Sequence, residues 1–327
     1  MTMKKLNLWI AATLIVCAIV VQKTVAHTEH TEVQNDTIVF MPQWTAQAQF
    51  AGYYVAETMG FYRDAGVKVK IIHPSATRSS MDQLSKNECQ ATTMLLCQAL
   101  EMVDSGMPLV NILQTSMNNA MVIVSARNKN PLTQKGERVG IWSVGFGQLA
   151  MCMSIKDSLN YEWVRFAQNV NLFVAGALDA TLAMSYNEYY QLMQAGINLK
   201  EKNVYRFSDH GYNIQDDGIY VTREYYDNHR NQAKRFAQAS RKGWEWAAEH
   251  PDEALDIVMK YVDREHIPTN RVMQRLMLDE VLRLQVDRET KRREFRLRPD
   301  MVKQASHLMK EYKMLNREVS YEELIEK

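Results

Sequence analysis

An α/β fold with mostly parallel sheets and a helical carboxyl-terminal region is predicted by three observations. Short apolar runs alternate with helical stretches between Thr37 and Thr222, the pattern of strand–helix–strand units. Beyond Arg223, apolar residues recur at helical spacing among many charges. The 327 residues are also enough for two domains of ordinary size.

The elements follow in order. Thr37–Met41 is apolar and β-branched and reads as the first strand. It feeds Gln43-Trp44-Thr45-Ala46-Gln47-Ala48-Gln49-Phe50-Ala51-Gly52-Tyr53-Tyr54-Val55-Ala56, which opens a helix ending at Gly60. Further strands are expected at Val67–Ile72, Gln90–Thr93, Met121–Ser125, Arg138–Trp142, Ala180–Ser185, Asn203–Phe207 and Gly218–Thr222. Ala233–Glu249, Pro251–Val262 and Thr269–Leu284 read as amphipathic helices. Met301, Ala305, Leu308 and Met309 bury one face of another helix near Pro299, and the mixed charges from Asp287 to Arg293 read as solvated surface.

Lys4 and Lys5 precede an apolar run from Leu6 to Val21, and Thr24-Val25-Ala26 offers small residues for cleavage. This is the layout of a secretory signal peptide, with the mature chain starting near His27; an uncleaved membrane anchor is the competing reading. Val16 before Cys17 disfavours lipidation. Removing residues 1–26 leaves 36 basic against 38 acidic side chains, which excludes a basic nucleic-acid or membrane-binding surface. Cys89, Cys97 and Cys152 remain without a Cys-x-x-Cys pair or a histidine at metal spacing, so buried free thiols are expected and no metal site.

Ligands of open α/β sheets sit at the carboxyl ends of the strands. Those junctions carry Trp44 with Gln47 and Gln49, Thr92 with Thr93, Trp142 with Phe146, Tyr186 with Asn187 and Glu188, and Asp209 with Tyr212 and Asp217. Each aromatic alone is as well explained by core packing, each glutamine by solvent, Glu188 by a helix amino-terminal charge and Asp217 by a cap. Recurring together, they describe a cavity with flat walls and a few orienting polar groups. A heteroaromatic ring between such walls gains on the order of 1–3 kcal/mol by stacking, and a buried carboxylate can accept from an amine and a ring N–H. Anions instead need arginine, lysine or a backbone nest, for which only Ser143-Val144-Gly145-Phe146-Gly147 is a weak candidate. His73, His210 and His250 are scattered and read as surface or capping residues.

Trp44, Gln47 to Ala56, Gly60-Phe61-Tyr62 and Gly66-Val67-Lys68-Val69 resemble the opening of a family. So do Gly106-Met107-Pro108, Gly136 to Ile141, Leu178-Asp179-Ala180, Tyr186-Asn187-Glu188, Ala195-Gly196-Ile197, Lys242 to Ala247 and His250 to Ala254. Their order is similar to that of the periplasmic substrate-binding proteins grouped with thiamine-pyrimidine precursor binders and fungal thiamine-pyrimidine synthases. The resemblance implies a type II periplasmic-binding-protein-like bilobed fold. Lobe 1 would hold residues 27–123 and 221–327 and lobe 2 residues 124–220, with crossings near Val122–Ala126 and Asp217–Val221. It also implies an exported, monomeric receptor for an amino-pyrimidine, feeding an ABC transporter permease, with Glu188 and Asp217 orienting amino groups. Alternatives are a ligand sensor or scaffold on the same fold, a receptor for a sulfonate or flavin, and, last, a pyrimidine synthase. The synthases carry a lysine, a histidine and a cysteine-rich iron motif where this chain has Met94 and Gln98 and only Cys152, so neither a cofactor nor catalysis is expected. Where the family often has Asn-Glu-Pro, this chain has Asn187-Glu188-Tyr189.

Overall fold

The computed structural model describes residues 37–326 apart from 76, 127–129, 131–134, 144 and 168–169. The expected signal peptide, Cys17 and Val144 of the candidate nest lie outside the described residues. No helix among the described residues is long and apolar enough to cross a membrane.

Two five-stranded sheets organise the chain. Strands β1 (Thr37–Met41), β2 (Lys68–Ile71), β3 (Ala91–Leu95) and β4 (Leu109–Gln114) enter the first sheet. Strands β5 (Met121–Ser125), β6 (Arg138–Trp142), β7 (Glu162–Phe166), β8 (Ala180–Met184) and β9 (Val204–Arg206) form the second, and β10 (Asp217–Thr222) returns to the first. The orders are β2-β1-β3-β10-β4 and β7-β6-β8-β5-β9. In each sheet one strand, β10 or β5, runs against the rest, so the sheets are mixed but mostly parallel. The inner strands β3, β5 and β8 are buried along their whole length, as strands covered on both faces must be. Strands β4 and β7 went unread in the sequence because edge positions let Asn111, Gln114, Glu162 and Arg165 interrupt the apolar pattern.

Helices α1 (Ala51–Thr58), α2 (Phe61–Asp64), α3 (Ser80–Ser85) and α4 (Leu96–Asp104) accompany the first sheet's opening strands. Helices α5 (Gln148–Lys156), α6 (Asn171–Val174) and α7 (Glu188–Gln194) lie among the strands of the second. Helices α8 (Arg223–Glu249), α9 (Pro251–Arg264), α10 (Arg271–Leu284) and α11 (Pro299–Glu311) form the carboxyl-terminal region. Side chains of Ser79, Thr222 and Asn270 cap α3, α8 and α10, while Pro251 and Pro299 occupy first turns, where a missing N–H costs nothing. Capped by Thr222, α8 starts well before Ala233 and bends at His229. The helix expected to open at Gln43 starts only at Ala51, after bends and a 3-10 turn over Ala48–Phe50. That irregular stretch leaves side chains free to turn toward a cavity.

Glycines bring α1 and α8 together. A Cβ on Gly243 would lie 2.0 Å from the Gly52 carbonyl oxygen, and one on Gly52 would lie 2.2 Å from the Trp244 ring. The Gly52 and Gly243 blocks of the sequence are therefore a packing signature.

The chain passes between the sheets at 115–120 and 207–216, ahead of the strands at which the sequence reading set its crossings. The two segments brace each other. Asn119 donates to Asp216 at 2.8 Å and to the Ile214 carbonyl at 3.0 Å, the Asn119 N–H donates to Asn213 at 2.9 Å, and the Ala120 N–H reaches Asp216 at 2.5 Å. Burial pushes the Asp216 carboxyl well above its usual range despite the Ala120 bond.

Candidate functional site: a cavity at the strand ends of both sheets

The two sheets present their carboxyl ends to one cavity. From the loop after β1 come Gln43, Trp44, Gln47 and Gln49; from the ends of β6 and β8 come Trp142, Phe146, Met184, Tyr186, Asn187 and Glu188. Eight of the thirteen junction residues named from sequence thus line a single space. Thr93 and Asp217 stand one layer behind it: the Thr93 hydroxyl accepts the Gln43 N–H at 2.9 Å, and Asp217 is held by glutamine side chains. Of the other junction residues, Thr92 donates to the Met41 carbonyl and Asp209 pairs with Arg288.

Gln43, which opens the junction segment but was not carried into the candidate residues, and Met184 also line the cavity. Gln43 directly follows Pro42 at the end of β1, a strand-end position like that of Trp44, and was the readable signal of the two. Met184 closes β8 with an apolar side chain that nothing in the sequence distinguishes from core.

The rings meet edge to face. Trp44 and Phe146 have centroids 5.6 Å apart at 63°, and Trp142 and Phe146 lie 6.1 Å apart at 82°. Phe146 therefore joins an indole carried by the first sheet to one carried by the second, and such pairs contribute about 0.5–1.5 kcal/mol beyond area burial. Beneath Trp44 lies His73, which the sequence reads as a surface or capping residue. It is buried, bonded at Nδ1 to the Trp44 carbonyl (2.7 Å) and at Nε2 to the Tyr54 hydroxyl (2.8 Å), and burial lowers its pKa.

Glu188 opens α7 and is only 1% exposed. Oε1 accepts from the Trp142 indole at 3.0 Å and from Asn187 at 3.1 Å, while Oε2 accepts the Met184 N–H at 2.9 Å. Burial raises its pKa and those donors oppose the rise. Its immediate work is to orient the Trp142 wall and close the β8–α7 corner.

Asp217 sits at the amino end of reversed β10, opposite Leu95 of β3, so antiparallel pairing delivers it to the parallel strands' carboxyl ends. Oδ1 accepts from Gln43 Nε2 at 2.7 Å and Oδ2 from Gln49 Nε2 at 2.6 Å. Gln47 Nε2 in turn donates to Gln49 Oε1 at 2.7 Å. Burial raises the Asp217 pKa, with the two amides opposing it, and burial likewise raises that of the Tyr186 phenol. Among the described residues, no lysine, arginine or histidine lines this cavity. The arrangement can stack a flat ring and offer it neutral amides backed by carboxylates.

Comparison with known proteins places the fold. A family model described as NMT1/THI5 like matches residues 47–254. The formylaminopyrimidine-binding protein of Halalkalibacterium halodurans is 23% identical over 247 residues, 71% of this chain and 73% of that one. Among solved structures, a zinc-bound ligand-binding component of an ABC-type import system from Staphylococcus aureus superposes with a TM-score of 0.65 at 11% identity, covering 89% of this chain and 96% of that one. The periplasmic aliphatic sulphonate binding protein SsuA from Escherichia coli gives 0.64 at 11% identity, covering 89% and 92%. At such identities the structures report the fold alone.

Proposed function

We propose that this chain, which belongs to the NMT1/THI5-like family, is an exported solute receptor that holds an amino-pyrimidine and delivers it to an ABC-type importer in the membrane. The observation that carries this reading is the cavity itself: indole, phenyl and phenol rings from both sheets, glutamine and asparagine amides, two buried carboxylates and, among the described residues, no cationic side chain. A relative named for binding formylaminopyrimidine supports the ligand class. The lining argues against sulfonates, although a sulphonate binder shares the fold, because an anion here would meet carboxylates instead of guanidinium or ammonium groups.

In this reading the sheets anchor two lobes that hinge at 115–120 and 207–216, and the guest favours closure by touching both. The signal peptide is cleaved near Ala26 and the receptor acts as a monomer without a cofactor. Binding without chemistry fits the carboxylates: Glu188 and Asp217 each have both oxygens engaged by protein donors, which suits orientation more than proton transfer. Calorimetry on the exported protein tests this. Heat with 4-amino-2-methylpyrimidine and none with an alkanesulfonate or a flavin is expected; the reverse result overturns it. A retained leader, read by intact mass, would favour a membrane-tethered sensor.

A further inference from the structure

The amides at the Trp44 end of the cavity have only one satisfactory orientation, and a single carboxylate dictates it. An ionised carboxylate accepts hydrogen bonds and donates none. Gln43 and Gln49 must therefore both turn their NH2 groups to Asp217, at 2.7 and 2.6 Å. This turns Gln49 Oε1 toward Gln47, whose NH2 meets it at 2.7 Å, so the orientation passes along the chain. What remains is oxygen. Gln43 Oε1 is buried without a protein partner, although Gln43 lines the cavity and its backbone is pinned by Thr93. A buried unpaired acceptor is uncommon and costs stability until something donates to it.

We propose that Asp217 is a positioning residue that sets the donor and acceptor polarity of the cavity. By holding the NH2 groups of Gln43 and Gln49, it leaves Gln43 Oε1 as the bare acceptor, selects guests that bring an N–H donor to that oxygen and rejects isosteres that lack one. The inference rests on the receptor reading above and adds the rule by which that receptor chooses. Asp217 need not touch the guest. Replacing it with asparagine, which both donates and accepts, frees Gln43 and Gln49 to flip and removes the rule while leaving the cavity's shape.

Two measurements on the exported protein test this. The first needs no ligand: in glutamine-labelled protein, side-chain amide protons of Gln43 and Gln49 should lie downfield of free glutamine and resist exchange, and both features should vanish in Asp217→Asn. Unchanged glutamine resonances in the variant would overturn the proposal. The second compares 4-amino-2-methylpyrimidine with 2,4-dimethylpyrimidine, equal in shape but without the amine. Leaving the buried acceptor unpaired should make the dimethyl compound about 5- to 150-fold weaker in the wild type. That ratio should fall toward one in Asp217→Asn and in Gln43→Met, which keeps the side-chain length. If both variants lose affinity for the two compounds equally, Asp217 is merely structural and the proposal fails. If neither compound binds the wild type, the ligand reading fails, and the amide spectra still decide the orientation.

Discussion

Changing Glu188 to glutamine tests the site at its most constrained point. The carboxylate gathers three N–H donors, from Met184, Trp142 and Asn187. A glutamine of the same shape can keep two of them by placing its oxygen at Oε1, but its NH2 then faces the Met184 N–H. The opposite flip sets NH2 against the indole, and Asn187 cannot turn to accept because its Oδ1 already takes the Gln191 amide at 2.9 Å. At least one buried donor is therefore stranded in either orientation. Stranding it costs about 1–3 kcal/mol. A 2 kcal/mol loss lowers the melting temperature by roughly 3 °C in a protein of this size. The pH dependence gives a second readout. Burial holds the Glu188 pKa above its ordinary 4.5, so the folded state binds this proton more tightly than the unfolded chain. Its contribution is full below the unfolded value and declines as pH rises through the folded one. The variant cannot titrate, so its deficit against wild type should be larger near pH 4.5 than near pH 7 in calorimetric melts. A variant that melts with the wild type at both pH values would refute the role assigned to Glu188.

Removing a wall should weaken binding without unfolding the protein: Trp44→Ala or Trp142→Ala should each cost about 1–3 kcal/mol of affinity by titration calorimetry. Gly243→Ala should lower the melting temperature, because its Cβ would lie 2.0 Å from the Gly52 carbonyl and backbone cannot yield as a side-chain tip can. The thiols report on burial and on the leader together. Burial raises Cys89 and Cys152 to about 12 and Cys97 well above its usual value, so a thiol reagent at neutral pH should find almost no thiolate in the native protein. Denatured exported protein should titrate three thiols if the leader is gone and four if Cys17 remains. Gln148 Nε2 donates to Glu101 Oε2 at 2.5 Å; Cys97 lies one turn before Glu101 on α4 and Cys152 one turn after Gln148 on α5. Ligand should therefore slow the labelling of Cys97 and Cys152, which face the seam between the two sheets' helices, more than that of Cys89.

Much of this was legible in the sequence because the cavity is built where strands end. Trp44, Trp142, Tyr186 and Glu188 sit within a few residues of apolar runs with clear boundaries, so their convergence follows from parallel pairing. What sequence hid was pairing direction and depth. Nothing in Asp217-Gly218-Ile219 says that β10 runs backward, yet only that reversal brings Asp217 beside Leu95 and behind Gln43. Edge strands β4 and β7 were lost to their polar residues, and His73 looked superficial because its partners, the Trp44 carbonyl and the Tyr54 hydroxyl, are distant in sequence.

A crystal structure of the exported protein grown with 4-amino-2-methylpyrimidine tests the central claim most directly. Ring density between Trp44, Trp142 and Phe146, with the amine toward Gln43 Oε1, is the predicted result. Density elsewhere, for example in the depression lined by Arg206, Arg283 and Arg288, with the aromatic cavity empty, would contradict it.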